Sequence, residues 1–323
     1  MKKRTWIKAA AVLLSLSATA SAAVAQDFPQ RPIKIIVDRP AGVPHDLLTR
    51  TLAEKLSARL GQPVIVENRP GAGGNLAAEY VARSAPDGYT LLVALDTTLT
   101  VNPALYKNLQ VDPRTALRPL SIMAQNSNML VVHPSVPVNS VAEFVAYAKK
   151  HPITYGDGGN GSPGHLTMEY FRMRAGFPAV SVPYRGNTQV VIDLLSGQIK
   201  FGFIATGGVI KHVHAGELKA LAVSGGQRID AAPDVPTIAE SGYPGFEVEV
   251  SYIILAPTGV PAPIAQKLET EIRSALQSPD LQQHFRPLNI EIIATSAADA
   301  QARIDAERAT WAKVIKATGM RAD

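Results

Sequence analysis

The chain has no cysteine among its 323 residues and only two tryptophans. Without cysteine it can form no disulfide, use no thiol nucleophile and bind no metal through thiolates. Its stability must therefore come from packed hydrophobic cores, and the chain is long enough to build two lobes, each with a core of its own.

Most of the chain also lacks net charge. Residues 1–25 contain four of the 32 Lys and Arg side chains and none of the 27 Asp and Glu, which leaves 28 basic against 27 acidic side chains. A nucleic-acid-binding domain usually has a basic excess, so we expect no nucleic-acid partner. The histidines have no metal-site spacing, and no Ser–His–Asp set lies on a nucleophile elbow. We therefore predict no metal, no cofactor and no enzymatic activity.

The N-terminus has the pattern of an export signal. Lys2, Lys3 and Arg4 precede a short apolar run, which ends in the small-residue pattern Ala23-Val24-Ala25. This arrangement predicts a signal peptide over residues 1–25 that is removed after Ala25. No later stretch approaches the roughly 18 apolar residues of a membrane span. We expect the mature chain to be exported to the periplasm of a bacterium.

Strand and helix patterns alternate along the rest of the chain. The apolar runs 33–37, 63–67 and 89–95 predict strands, and leucines at every fourth position from Leu48 to Leu60 predict a helix between the first two. The alternation continues with a strand over 128–134, a helix over 139–152 and a long strand over 248–257. This order predicts an α/β fold with mostly parallel sheets that are flanked by helices.

A glycine cluster at "NRPGAGGNL" (68–76) raises the question of a nucleotide site. A dinucleotide fingerprint requires a third glycine where Leu76 stands, and the Gly-Lys-Ser/Thr of a phosphate-binding loop is absent. The cluster therefore predicts a tight turn that leads into the next helix.

Longer motifs resemble a known family. The run "GQPVIVENRPGAGGNLAAEYVARSAPDGYTLLVA" (61–94) is similar to a hallmark of the tripartite tricarboxylate transporter receptor family, the Bug-type extracytoplasmic solute-binding proteins. Further matches follow in the same order, including "GNGSPGHL" (159–166), "VPYRG" (182–186) and "PDVPTIAESGYPGFE" (233–247). The resemblance covers essentially the whole chain after the signal peptide.

The resemblance implies a type II-like periplasmic-binding-protein fold with two lobes that close on a ligand like a Venus flytrap. Residues 26–127 and 249–323 would form the first lobe, residues 128–248 the second, and crossing strands the hinge. It also implies a monomer that captures a small carboxylate and delivers it to integral membrane transporter subunits. The alternative is a sensory protein that binds the same ligand and reports to a membrane sensor kinase. Genes for transporter subunits or for a kinase beside this gene would distinguish the two.

The ligand loops of the family fall on residues 38–46 and 155–166, and a third segment falls on 182–187. Each precedes a helix, whose N-terminus offers free N–H groups and the positive end of a dipole to an anion. The candidate ligand-binding residues are Arg39, Ala41, Gly42, Val43, His45, Asp46, Asp157, Gly158, Gly159, Asn160, Ser162, His165, Tyr184, Arg185, Ile204 and Tyr252.

Several positions in these loops depart from the family pattern, and Arg39, Asp157 and His165 each allow two interpretations. Asp38 and Arg39 replace a usual proline and aromatic residue, and Pro44 removes an N–H donor. Arg39 would pair with a ligand carboxylate or lie on the surface. Asp157 would face the ligand or bond its own loop, and His165 would donate to the ligand or cap the loop.

Aromatic side chains near the predicted cleft raise the same choice. Tyr155, Phe203 and Tyr252 would contact a flat ring, as in an aromatic or pyridine carboxylate, or fill the core. An aliphatic acid remains the other ligand class.

Overall fold

The structure of the protein is a computed structural model that describes residues 28–322. The predicted signal peptide over residues 1–25 lies outside the described residues. None of the helices within residues 28–322 combines the length and the hydropathy of a membrane span.

The first sheet is built on three parallel strands. Strand β1 (Ile33–Val37) lies between β2 (Val64–Asn68) and β3 (Thr90–Leu95) and is parallel to both. Strand β9 (Glu249–Pro257) pairs antiparallel with β3. On the other side of β9 lies β4 (Leu117–Val132), and the short β10 (Glu291–Ile292) completes the edge. The parallel strands bring the loop after β1 and the end of β3 to the same edge of the sheet.

Strand β4 connects this sheet to the second part of the molecule. Its first half pairs with β9, and residues 128–132 pair antiparallel with β7 (Phe201–Ala205) and β8 (Lys219–Val223). A parallel pair, β5 (Thr154–Asp157) and β6 (Val180–Pro183), packs beside β7. Strands β4 and β9 therefore form the connection at which the two parts of the molecule meet.

Helices cover these sheets. They are α1 (Pro44–Leu60), α2 (Asn75–Ala82), α3 (Thr97–Thr100), α4 (Asn102–Leu105), α5 (Pro113–Ala116), α6 (Val141–Lys150), α7 (Pro163–Ala175), α8 (Asn187–Ser196), α9 (Thr206–His214), α10 (Ala262–Leu276), α11 (Pro279–Phe285) and α12 (Ala297–Thr318). Short 3₁₀ turns lie at Ala72–Gly74 and Arg286–Leu288.

The long helix α12 contributes to cores on both sides of the connecting strands. Ala300 and Ile304 pack with the first sheet, whereas Trp311 and Val314 pack with Phe144 and the second part of the molecule. Val101 and Leu105 join the same second core, although they follow the first sheet in sequence. The predicted lobe boundaries remain a prediction, because α12 contributes to both cores and Val101 and Leu105, from the segment assigned to the first lobe, pack in the second core.

Most predicted elements are found, with ends shifted by one to three residues. Ser140 caps α6, where its Oγ accepts from the N–H of Glu143, as the capping pattern indicates. The strand predicted over 128–134 is the second half of β4, whose first half carries Arg118, Pro119 and Ser121 among apolar residues and has no regular alternation in sequence. The spacing predicts that Leu76, Tyr80 and Val81 face inward, but Leu76 is exposed, because α2 packs on the sheet through Ala77, Ala78 and Val81.

Candidate functional site

The first predicted ligand loop is anchored by Asp46 at the start of α1. Its Oδ2 accepts from the N–H of Gly42 at 2.8 Å and from Arg50 Nε at 3.0 Å, and its Oδ1 accepts from Asn68 Nδ2 at 2.7 Å. Asn68 Nδ2 also donates to the carbonyl of Arg39. Burial acts to raise the pKa of Asp46, but the Arg50, Gly42 and Asn68 bonds together lower it. The carboxylate of Asp46 is therefore used to shape the loop.

The same loop presents its backbone outward. Ala41 and Gly42 are exposed, Arg39 and Val43 are half-buried, and Gly42 has a positive φ of 87°. The residue before α1 is Val43, and no side chain caps this helix. The N-terminal end of a 17-residue helix is thus open to an anion beside exposed main chain.

A buried pair lies beneath this loop. His45 Nε2 is 3.0 Å from Asp38 Oδ1, and the two side chains are 5% and 0% exposed. The His45 ring lies 5.4 Å from the ring of Tyr252, which is also buried. Burial and the nearby Asp96 carboxyl raise the pKa of Tyr252, so its hydroxyl stays protonated.

The second predicted loop is held by Asp157 at the end of β5. Its Oδ1 accepts from the N–H of Gly159 at 2.8 Å, and its Oδ2 accepts from Ser181 Oγ at 2.6 Å. Asp157 is fully buried, so both of its oxygens serve the loop and β6. Gly158 is half-buried and Asn160 exposed, which leaves the main chain of this loop accessible.

Ser162 and His165 organise the start of α7. Ser162 Oγ accepts from the N–H of His165 at 3.4 Å and caps the helix. His165 Nδ1 accepts from the N–H of Gly161 at 3.0 Å, which fixes its neutral tautomer with the proton on Nε2. The His165 ring lies 6.3 Å from the ring of Tyr155, whose hydroxyl donates to Glu169.

The remaining predicted residues have different surroundings. Tyr184 donates from its hydroxyl to Asp193 at 2.8 Å, and burial with this bond raises its pKa to about 12. Arg185 is exposed. Ile204 is fully buried and packs with Met129 and Val131 on β4. Among the aromatic side chains considered for ring contact, Tyr155 and Phe203 are fully buried in the second core.

A short segment, residues 97–106, lies between the two loops. A Cβ added to Gly74 would lie 2.5 Å from Asp38 Oδ2 and 2.9 Å from Thr98 Oγ1. On the other side, a Cβ at Gly161 would lie 2.5 Å from Leu105. The structure thus connects the first loop to the second through helices α3 and α4.

The end of β3 contributes a group that sequence reasoning missed. Asp96 follows β3 at the edge where Asp38 follows β1, and it is 3% exposed. Burial and the nearby Glu307 raise its pKa well above the usual range, whereas Arg303 acts in the opposite direction. The position of Asp96 directly after a buried strand was the available signal, because parallel strands end at a common edge.

The described part of the chain contains no candidate metal site. Within residues 28–322, no group of three or more His, Asp or Glu side chains is arranged to hold a metal ion.

Two α/β parts that are joined by long crossing strands, with loops before helices at the junction, define the fold of a periplasmic binding protein. The family described as "Tripartite tricarboxylate transporter family receptor" matches residues 48–320, and the chain belongs to this family. Among its relatives is the protein BugT of Bordetella pertussis, which is 32% identical over 311 residues and covers 95% of both chains.

Solved structures of related proteins have the same fold as this chain. The structure described as R. palustris Rpa4515 with adipate is 34% identical, has a TM-score of 0.81 and covers 91% of this chain and 99% of its own. MatC from Rhodopseudomonas palustris with bound malate is 28% identical, has a TM-score of 0.78 and covers 89% of this chain and 100% of its own. The predicted family and two-lobed α/β class are confirmed.

Proposed function

We propose that this chain is a periplasmic receptor that binds a small carboxylate between its lobes and delivers it to the membrane subunits of a tripartite tricarboxylate-type transporter. The observation that carries the proposal is the uncapped N-terminus of α1 beside exposed main chain at Ala41 and Gly42. Unpaired N–H groups at such an end favour an anion. The likeness to a structure with adipate and to another with malate supports a carboxylate.

The proposed contacts divide into two roles. Arg39, the main chain of 41–43 and His45 would bind the ligand from the first loop, and 158–160, Ser162, His165 and Arg185 would approach it from the second. Asp46, Asp157, Tyr184 and Ile204 would support these loops, because their polar atoms are already paired or their side chains lie in the core. Tyr252 would influence the ligand only indirectly, through the contact of its ring with the ring of His45.

Binding in this manner requires no covalent chemistry. The N–H groups are fixed by the loop and helix geometry before the ligand arrives, so little ordering energy is lost on binding. Closure of the lobes around the acid would remove water and strengthen each charge-assisted bond. We accordingly propose a transport receptor without enzymatic activity.

A thermal-shift panel on residues 26–323 tests the proposal. The compounds would be aliphatic di- and tricarboxylates, aromatic and pyridine carboxylates, and the amides of the same acids. A ligand at about 100 times its Kd should stabilise the fold by about 2.7 kcal/mol. We expect at least one acid to raise the melting temperature, with its amide ineffective.

Two variants refine this experiment. Arg39→Ala should reduce the acid-induced shift, because the ligand carboxylate would lose the guanidinium of the half-buried Arg39 as a partner. The matched control is Arg83→Ala, which removes an exposed arginine paired with Glu79 on α2. Stabilisation by amides or amines alone, with no acid active, would refute the carboxylate assignment.

A further inference from the structure

The Asp38–His45 pair has no counterpart in the usual loop pattern and flanks the first predicted ligand loop, with Asp38 directly after β1 and His45 at the start of α1. Asp38 is fully buried, and its Oδ1 is bonded to His45 Nε2 at 3.0 Å. Its Oδ2 is buried without a hydrogen-bond partner among the described residues. A carboxylate in such a place is stabilised when a positive charge lies in contact with it.

His45 is the group placed to supply that charge. The other titratable groups around the pair are Tyr252 and Asp96 from the neighbouring strands, together with Asp46 on α1. Asp46 is already bonded to Gly42, Arg50 and Asn68. Arg39 belongs to the same loop but lies nearer the surface. His45 is therefore the basic side chain in direct contact with Asp38.

The second ring nitrogen of His45 is available. Within residues 28–322, Nδ1 of His45 has no hydrogen-bond partner, and this atom is not completely buried. His45 is also the second residue of α1, directly after Pro44, which has no N–H to offer. A protonated imidazole would replace that missing donor at the helix end.

We propose that Asp38 is a positioning residue that holds His45 as an imidazolium, so that Nδ1–H donates to the carboxylate of the ligand. The inference rests on the proposed function and narrows the ligand class to acids with an ionised carboxylate at this position. With Asp38 as a carboxylate that accepts from Nε2–H, the cation can donate from Nδ1, whereas the neutral ring would accept there. The pair therefore favours a carboxylate over the corresponding carboxamide.

The proposal makes binding dependent on pH. When His45 is neutral in the free protein, binding of the acid must take up one proton. The affinity for an acid should therefore fall as the pH rises. In the pH range in which His45 is neutral in the free protein, the fall should be up to about tenfold per pH unit.

Calorimetric titration with adipate, malate and benzoate from about pH 5.5 to about pH 8.5 tests the inference. For an acid that binds, Kd should rise with pH in the native chain. His45→Gln should weaken binding at low pH by about tenfold, the value of one good hydrogen bond, and abolish the pH dependence. Asp38→Asn should give an intermediate loss with a lower onset of the pH effect. His133→Gln, on the second lobe and bonded to Ser135, is the matched control and should bind as the native chain does.

A readout independent of affinity separates positioning from loss of structure. Nitrogen-15 NMR of the imidazole rings should show His45 protonated at both nitrogens in the acid complex, and Asp38→Asn should shift this signal in a chain that remains folded. If an acid binds with a Kd insensitive to pH, to His45→Gln and to Asp38→Asn, this inference fails while the proposed function stands. If none of the three acids binds, the inference fails together with the carboxylate function for these ligand classes.

Discussion

At the scale of single residues, charged side chains in the two loops are used mainly to hold main chain. Asp46 bonds the N–H of Gly42, and Asp157 bonds the N–H of Gly159. Short acidic side chains do this readily in glycine-rich turns because they reach backbone N–H groups a few residues away. The sequence placed both residues in the right loops but could not assign their partners, since Ser181 and Asn68 come from other strands.

Substitution of Asp157 tests this structural role. Asp157→Ala should lower the free energy of unfolding by about 1–3 kcal/mol, because it leaves the N–H of Gly159 and the hydroxyl of Ser181 without their acceptor. Urea denaturation would measure the loss, with Ser181→Ala as a milder companion at about 1 kcal/mol. A variant of native stability that no longer binds ligand would instead make Asp157 a ligand contact.

Glu249 gives a prediction for the pH dependence of stability. Burial raises its pKa to about 7, with Glu247 and Glu291 adding to the effect and Arg303 opposing it. The folded state therefore keeps this proton to higher pH than the unfolded chain, so stability falls as the pH rises from about 4.5 through about 7.

Glu249→Gln should remove this loss. We expect the variant to match the native chain near pH 4 and to exceed it by up to about 2 kcal/mol at pH 8, less than the full value of the shift because the side chain is partly exposed. Chemical denaturation at both pH values would measure it, with exposed Glu54→Gln as the control. A variant that is less stable than the native chain at pH 8 would contradict the account.

At the scale of elements, helices and buried strands were predictable because each carries its own periodicity. The leucine stripe of α1 and the capping serine of α6 are local signals, and both elements are found. Strand β4 was only half predicted, because its first half is stabilised by pairing with β9, which lies more than 100 residues later. The exposed position of Leu76 likewise depends on how α2 sits against β3, which periodicity alone does not contain.

Helix α12 leads to a prediction about cooperativity. Ile304 packs in the core of the first sheet and Trp311 in the core of the second part. Ile304→Ala should cost about 2–5 kcal/mol and Trp311→Ala about 3–5 kcal/mol. Because one helix spans both cores, each variant should shift a single common unfolding transition. Calorimetry that resolves two transitions, only one of which moves in each variant, would show that the lobes unfold independently.

At the scale of the whole molecule, the order of elements and the motif resemblance were sufficient to predict the two-lobed α/β class. The precise site was less accessible to sequence reasoning. In the sequence, Asp38 differs from the family pattern without indicating a partner, and its partner His45 lies seven residues away on the next element. Residues 97–106 pack between Gly74 and Gly161 and so connect the two loops. This three-dimensional arrangement leaves no local pattern in the sequence.

The most direct test of the central claim is a crystal structure of residues 26–323 with the acid that most raises the melting temperature. The account predicts the carboxylate within about 3 Å of His45 Nδ1 and of N–H groups at the start of α1, with the 158–162 loop on its other side. A cavity of about 570 Å³ between the two parts of the molecule is lined by Glu247, Glu249 and Arg286, among other residues. An acid bound there, with the first loop free of ligand, would contradict the account.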